Sequence, residues 1–189
     1  MSTPHPVHAR PDGQQNQNLS LSADGRNALI RHEGVIRHYY NDAVNNCTYG
    51  IGTLAHLGPC TAEELRTHVT DAQVTTSMQE SVEIAENAVR RNITRHQLTQ
   101  AQFDALVSFT YNVGAGGARN VLRQVNAGNF QAAAAAAASM QQYIHATVYG
   151  PDGQPQRDEN GHIVTRALPG LVNRRRHESA PFTRHGTRR

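Results

Sequence analysis

Glu33, Asp42 and Thr48 place two carboxyl groups and a hydroxyl close together early in the chain. Glu33 is followed by Gly34, a residue that commonly stands just past the last turn of a helix. Asp42 and Thr48 fall in a stretch of short, β-prone runs. A carboxyl at a helix end, facing a second one on a sheet across a cleft, is what acid–base hydrolysis of a glycosidic bond requires. One carboxyl gives its proton to the leaving oxygen while the other works as a carboxylate. Thr48 adds a hydroxyl able to hold a water beside Asp42. Acid pairs at this spacing are common, and taken alone this one is more ordinary as two solvated surface acids than as a catalytic pair.

The elements that must position these groups can be read from caps and periodicity. Ser22 is a good N-cap ahead of Ala28, Leu29 and Ile30, so a helix is expected to run from there to Glu33. Tyr39 to Leu57, with Asn45 and Asn46 as turn residues, predicts a small antiparallel sheet of two or three strands. Thr61-Ala-Glu-Glu64 matches a capping box and signals a return to helix. From Asp71 to about Arg91, Val74, Met78, Val82, Ala85 and Val89 recur in steps of three and four, one face of a long connector helix. Thr99 caps a helix with Phe103, Leu106, Val107 and Thr110 on one face, ended by Gly114, Gly116 and Gly117. A helix from about Ala118 to Asn126 follows, closed by Gly128. Asn129 then caps a helix over Phe130 to Tyr143, whose run of alanines favours close packing. Tyr149 to Val164 carries Pro-Asp-Gly and Glu-Asn-Gly turn signals and predicts an extended hairpin or surface loop. A last helix starts near Pro169, and the tail beyond Phe182 is expected to fray. The fold class is therefore α+β, with a small antiparallel β lobe and a larger helical lobe joined by a long helix.

Bulk properties set the limits of this picture. A chain of 189 residues suits one domain with a real core, or two lobes sharing a helix. Residues 1–20 are polar and hold almost no apolar side chains, so they are expected to form a flexible leader, with the folded domain over 21–189. That leader lacks the apolar middle of a secretory signal, and no run of about 20 apolar residues predicts a membrane span. The formal charge of +3 fits any anionic partner, from an acidic wall to nucleic acid, and selects none. Cys47 and Cys60 flank the expected hairpin, so a disulfide is geometrically possible, and two buried thiols are equally ordinary.

Other patterns point away from competing chemistries. Gly50-Ile51-Gly52 lacks the third glycine and following helix of a nucleotide fingerprint; its expected job is to bend the hairpin backbone beside the cleft. The histidines form no His-Glu-x-x-His and no Cys/His cluster, so no metal and no cofactor are expected. Asp152-Gly and Asp158-Glu-Asn-Gly are turn chemistry without the regular oxygens of a calcium loop. Arg174-Arg175-Arg176 could contact phosphate, but three consecutive arginines point to different sides of a helix, one to solvent and another towards the cleft. No nucleic-acid partner is expected.

The string His32-Glu33-Gly34, then Tyr40-Asn41-Asp42, then Thr48-Tyr49-Gly50-Ile51-Gly52, resembles the active-site segment of the phage-type lysozymes, glycoside hydrolase family 24. Two later segments, Gln102 to Gly114 and Gly170 to Glu178, are similar to the same family, so the likeness covers roughly residues 22–183 in order. The resemblance implies a lysozyme-like fold and a muramidase acting on bacterial peptidoglycan as a monomer. Glu33 would be the general acid. Asp42 and Thr48 would activate the water that attacks from the opposite face, giving inversion, which calls for carboxyls about 6.5–9.5 Å apart. Arg174 falls where a family arginine contacts the catalytic glutamate, and Asn112 matches a position facing the substrate cleft. Thr53 stands where members often have histidine, with His56 close by as a stand-in, and 147–164 is longer than usual before the last helix. Such a protein would be made in the cytoplasm and act on the wall after release or delivery. It would be a phage lysis enzyme or a secreted effector, the latter implying an immunity protein in the producer. The rival reading is a silent wall-binding module of the same fold.

Overall fold

Side-chain caps decide where the helices begin. Ser22, Thr70, Thr99 and Asn129 all hold extended backbone and accept from the amides of Gly25, Gln73, Gln102 and Ala132 respectively. At Thr70 and Thr99 the glutamine three residues on reaches back to complete a capping box. The structure, a computed structural model, describes residues 16–183. The helices are α1 (Ala23–Glu33), α2 (Asp71–Asn92), α3 (Gln100–Asn126), α4 (Phe130–Met140) and α5 (Pro169–Thr183). Strands β1 (Ile36–Asn41), β2 (Cys47–Gly50) and β3 (Thr53–His56) form one antiparallel sheet in the order β1-β2-β3, and β4 (His145–Thr147) pairs with β5 (Thr165–Ala167) in a second. The mixed architecture is the expected one, a small β lobe followed by a helical lobe.

The long helix α2 connects the two. Val74, Met78, Val82, Ala85 and Val89 are all buried along one face, and each Val or Met so buried contributes about 1.5–3 kcal/mol. Its first turns meet the sheet, where Val74 lies against Gly50 and Thr53 Oγ1 donates to Ser77 Oγ at 3.3 Å. The rest packs along α3, whose Phe103, Leu106, Val107 and Thr110 are buried as their spacing predicts. α3 is two helical runs meeting at Gly114, whose φ of 75° and ψ of 160° are non-helical. Only glycine takes that backbone without strain, and the bend sets Asn112 and Val113 at the edge of the cleft described below. In the alanine-rich α4, Ala136, Ala137 and Met140 are buried, and the helix contacts both α3 and α5. It ends at Met140, short of the expected Tyr143.

Two local readings change in three dimensions. The Thr61–Glu64 box forms its reciprocal bonds, with Glu64 Oε2 accepting from the Thr61 amide at 2.7 Å. It heads only a single 3₁₀ turn, Glu64–Arg66, because the chain must then extend so that the Val69 amide reaches the Arg37 carbonyl on β1. Of the expected leader, residues 1–15 lie outside the described residues. Asn16 to Ser20, however, are docked rather than loose. Asn16 is buried, its Nδ2 donates to the carbonyls of Ile93 (2.8 Å) and His96 (2.9 Å), and its Oδ1 accepts from the Leu98 amide. One asparagine thus satisfies three backbone groups in the α2–α3 turn, a gain that composition does not reveal. The expected fraying tail lies mostly outside the described residues.

Cys47 and Cys60 are joined in a disulfide, at a separation of 13 residues. The bond ties β2 to the loop after β3, alongside a Cys60 amide that donates to Asn41 Oδ1 at 2.7 Å. Closing a loop of this length stabilises a fold by about 3 kcal/mol in the chain-entropy model. The double variant Cys47→Ala/Cys60→Ala is therefore expected to lose about that much in urea unfolding. A midpoint unchanged from wild type would show that the β lobe does not depend on the bond.

Candidate active site

Glu33 is the last residue of α1, and that helix is pinned at its other end. Ser22 donates to Asp104 of α3 through its amide (3.0 Å) and its hydroxyl (2.5 Å), so the helix delivers Glu33 to a defined place. Asp42 heads the turn between β1 and β2. Its Oδ1 accepts from the amides of Val44 (2.9 Å) and Asn46 (2.8 Å), which fixes the carboxylate and leaves Oδ2 with no donor among the described residues. Asn45 closes this turn with a φ of 68°, a left-handed conformation that asparagine tolerates better than most residues. Thr48 stands opposite Tyr40 on the paired strands, nearly buried, its hydroxyl only 3.4 Å from the Asn46 carbonyl.

These groups meet in one cleft of about 760 Å³, lined by Glu33, Asp42, Thr48, Asn112 and Arg174 together with His32, Tyr40, Gly52, Leu54 and residues around Leu168. All five residues singled out from the sequence are there. Gly52 is where β2 turns into β3, and a Cβ built on it would lie 2.5 Å from Glu33 Oε2. Its φ of +66° also disfavours any side chain. The Gly-x-Gly segment therefore does more than bend: its second glycine lets the backbone pass directly against the Glu33 carboxyl. Tyr111 of α3 holds the same loop, donating to the Ile51 carbonyl at 2.6 Å.

Arg174 sits on α5 with only 3% of its side chain exposed, and every arm of its guanidinium is engaged. Nη1 donates to Glu33 Oε1, Nε to Glu178 Oε1 at 2.8 Å, and Nη2 to the Ser108 carbonyl at 2.9 Å. Its geometry is that of a holder of Glu33. Burial disfavours its charge, but the carboxylates of Glu33 and Glu178 outweigh that and raise its pKa above the ordinary arginine value. Asn112 reaches the cleft too, although its Oδ1 is occupied by Arg175 Nη2. Arg175 is almost wholly buried. It also donates to Glu178 Oε2 and to the Tyr143 carbonyl, and lies over the Phe109 ring at 4.9 Å. Of the arginine trio only Arg176 is left exposed, which removes the basis for a phosphate-binding stripe.

Burial shifts three neighbouring groups towards their neutral forms. Burial, then the charge of Arg174, lowers the His32 pKa below 6.5. Burial, then Glu33 and Asp42, raises Tyr40, and burial with Glu33 pushes Tyr111 up to about 12. The expected stand-in His56 does not reach the cleft. Its Nε2 faces the Glu64 carboxylate at 3.2 Å on the outer side of the β lobe, and the Thr53 hydroxyl is turned to Ser77. Sequence reasoning did not pick out Glu178, Arg175, Ser108 or Tyr111. Glu178 stands four residues after Arg174 and three after Arg175, spacings at which helical side chains meet, and that was the available signal for the first two.

Residues 30–178 match the model of the phage lysozyme family. The endolysin of Salmonella phage P22 is 33% identical over 120 residues, 61% of this chain and 80% of that protein. Across the curated relatives the matched region spans from 43% to 80% of their length. Among solved structures, an endolysin from Escherichia coli O157:H7 phage FAHEc1 superposes with a TM-score of 0.65 at 29% identity, covering 88% of this chain and 94% of that one. The muramidase domain of SpmX from Asticaccaulis excentricus gives 0.62 at 26%, covering 89% and 100%. Among the described residues no helix is long and apolar enough to cross a membrane. Since that family's model matches most of its length, the chain belongs to the phage lysozyme family of glycoside hydrolases.

Proposed function

We propose that this protein is a peptidoglycan hydrolase that cuts the β-1,4 bond between N-acetylmuramic acid and N-acetylglucosamine with inversion. The observation that carries the reading is the pairing of an Arg174-held Glu33 on a helix end with Asp42 at the β1–β2 turn and Thr48 on β2, in one open cleft. In this mechanism Glu33 gives its proton to the glycosidic oxygen as the bond to the anomeric carbon breaks. A water held by the Thr48 hydroxyl and Asp42 Oδ2 attacks that carbon from the opposite face and passes its proton to Asp42. The two hydrogen bonds fixing Asp42 Oδ1 aim the other oxygen without needing a further partner. Arg174 steadies Glu33 and offsets the charge left on it once its proton has gone. In this reading Arg174 acts through its contact with Glu33, and Asn112 keeps its Nδ2 for the substrate.

That its relatives are endolysins of several phages supports a lysis role, for which we infer action on the wall from the periplasm after release through the inner membrane. The test is digestion of purified peptidoglycan, with the soluble products reduced and identified by mass spectrometry. Fragments ending in reduced muramic acid are expected, with new reducing ends appearing first as the α anomer. Fragments ending in glucosamine would overturn the bond assignment. Wall binding without release would favour the silent-module reading.

A further inference from the structure

The segment between β4 and β5 is longer than the family pattern requires, and it is not a free loop. It folds back twice, with bridges Tyr149↔Pro155 and Arg157↔Ile163 beyond the β4–β5 ladder. Its root lies between α4 and α5, the helix that carries Arg174, yet its contacts reach the β lobe. Three consecutive residues of the Asp42 turn are bonded to it: Arg166 Nη1 donates to the Ala43 carbonyl at 2.8 Å, the Tyr149 amide to the Val44 carbonyl at 3.2 Å, and Asn45 Nδ2 to the Tyr149 carbonyl at 3.3 Å. Val44 and Val148 are both buried. Further along, Gly58 lies so close to Gly150 and Gly153 that a Cβ there would stand 3.0 Å from their backbone atoms. Gly58 belongs to the loop that the Cys47–Cys60 bond ties to β2.

We propose that residues 148–166 form a strap that positions Asp42, with Tyr149 and Arg166 as its positioning residues and Asn45 as their partner in the turn. The turn has two faces. Its inner amides are spent on Asp42 Oδ1, while its outward carbonyls are held by the strap. The strap thus adds a tie between the lobes at the Asp42 turn, beside those made by α2 and by the Tyr111–Ile51 hydrogen bond. α2 and Tyr111 meet the sheet around Gly50 to Thr53, away from residues 43–45, so the strap is what holds the Asp42 turn at its separation from the Glu33–Arg174 side. Positioning matters here because a displacement of about 1 Å at a reacting group can cost about a hundredfold in rate.

The test replaces 148–164 by Gly-Gly, a two-residue turn that closes the hairpin between the paired Thr147 and Thr165. Two readouts are taken. Hydrogen exchange at the Val44 and Asn46 amides, the donors to Asp42 Oδ1, is expected to accelerate about tenfold or more, while the Leu106 and Val107 amides of α3 keep their protection. The kcat on peptidoglycan is expected to fall about tenfold or more with KM changed less than about threefold. Unchanged exchange at Val44 and Asn46, or a wild-type kcat, overturns the proposal. Should the shortened chain not fold, Arg166→Ala provides the same readouts: about threefold faster exchange and a lower kcat, both recovered by Arg166→Lys. No change in exchange would again overturn it. The kinetic arm rests on the proposed muramidase reading, whereas the exchange arm does not, so an inactive wild-type protein would sink that reading and leave the strap still to be judged by exchange.

Discussion

Glu33→Gln is expected to stop the release of soluble fragments from peptidoglycan, lowering the rate by about 10²–10⁴-fold, the share a positioned general acid supplies. The change is nearly isosteric and retains a carbonyl oxygen for Arg174 Nη1, but an amide has no acidic proton to give to the leaving oxygen. The fold should survive it. Arg174 keeps its bonds to Glu178 and the Ser108 carbonyl, so the buried guanidinium does not lose all its partners. Turbidity clearance and product analysis on wild type and variant, with thermal melts of both, check the two halves together. A folded Glu33→Gln protein that still turned over at the full rate would remove Glu33 from the mechanism.

The largest effect on stability is expected at Glu178. Its two carboxylate oxygens are shared between Arg174 and Arg175, and all three side chains are buried. Removing one partner of a buried ion pair costs about 3–5 kcal/mol, since it strands charge away from water. Glu178→Ala also loses the acceptor for the Ser108 hydroxyl, which donates to Glu178 Oε1 at 2.7 Å. We expect a loss at the upper end of that range in urea unfolding, with Glu178→Gln milder because it retains one carbonyl acceptor. A cost under about 1 kcal/mol would mean that the arginines find other partners and that α5 is held by its apolar contacts instead. The consequence for the site is direct: Arg174 touches Glu33, Arg175 touches Asn112, and Glu178 holds both arginines.

Much of this molecule was legible along the chain, and the legible parts share a physical character. Ser22, Thr99 and Asn129 cap helices because a short polar side chain reaches an amide three residues on, an interaction contained within four residues. The buried face of α2 follows from helical periodicity alone, and the placement of Glu33 at the end of α1 follows from Gly34. Thr48 falls on β2 as its β-prone run implies, while Asp42, expected on the sheet, stands one residue past β1 at the head of the turn that Asn45 and Asn46 close. The disulfide is a different matter. The sequence allowed Cys47 and Cys60 either to bond or to stay as thiols, and only the register of β2 against β3, with the following loop, brought them together.

What the tertiary structure alone decided concerns contacts between segments far apart in sequence. The arginine trio is identical in residue type, yet packing sent Arg174 to Glu33, Arg175 into the core and Arg176 to solvent. His56, near the expected place in sequence, turned to Glu64 because β3 presents it away from the cleft. The Thr61 box formed its local bonds but yielded to the extended run that pairs with β1. Asn16 joined the fold through carbonyls some 77 and 80 residues away, and the 148–166 segment became a strap through bonds to Ala43, Val44 and Asn45. Caps, periodicity and turn chemistry are set by neighbours within a helical turn, so a sequence declares them. Which buried charge meets which carboxylate depends on how two lobes come to rest against each other, and that is settled only when the whole chain packs.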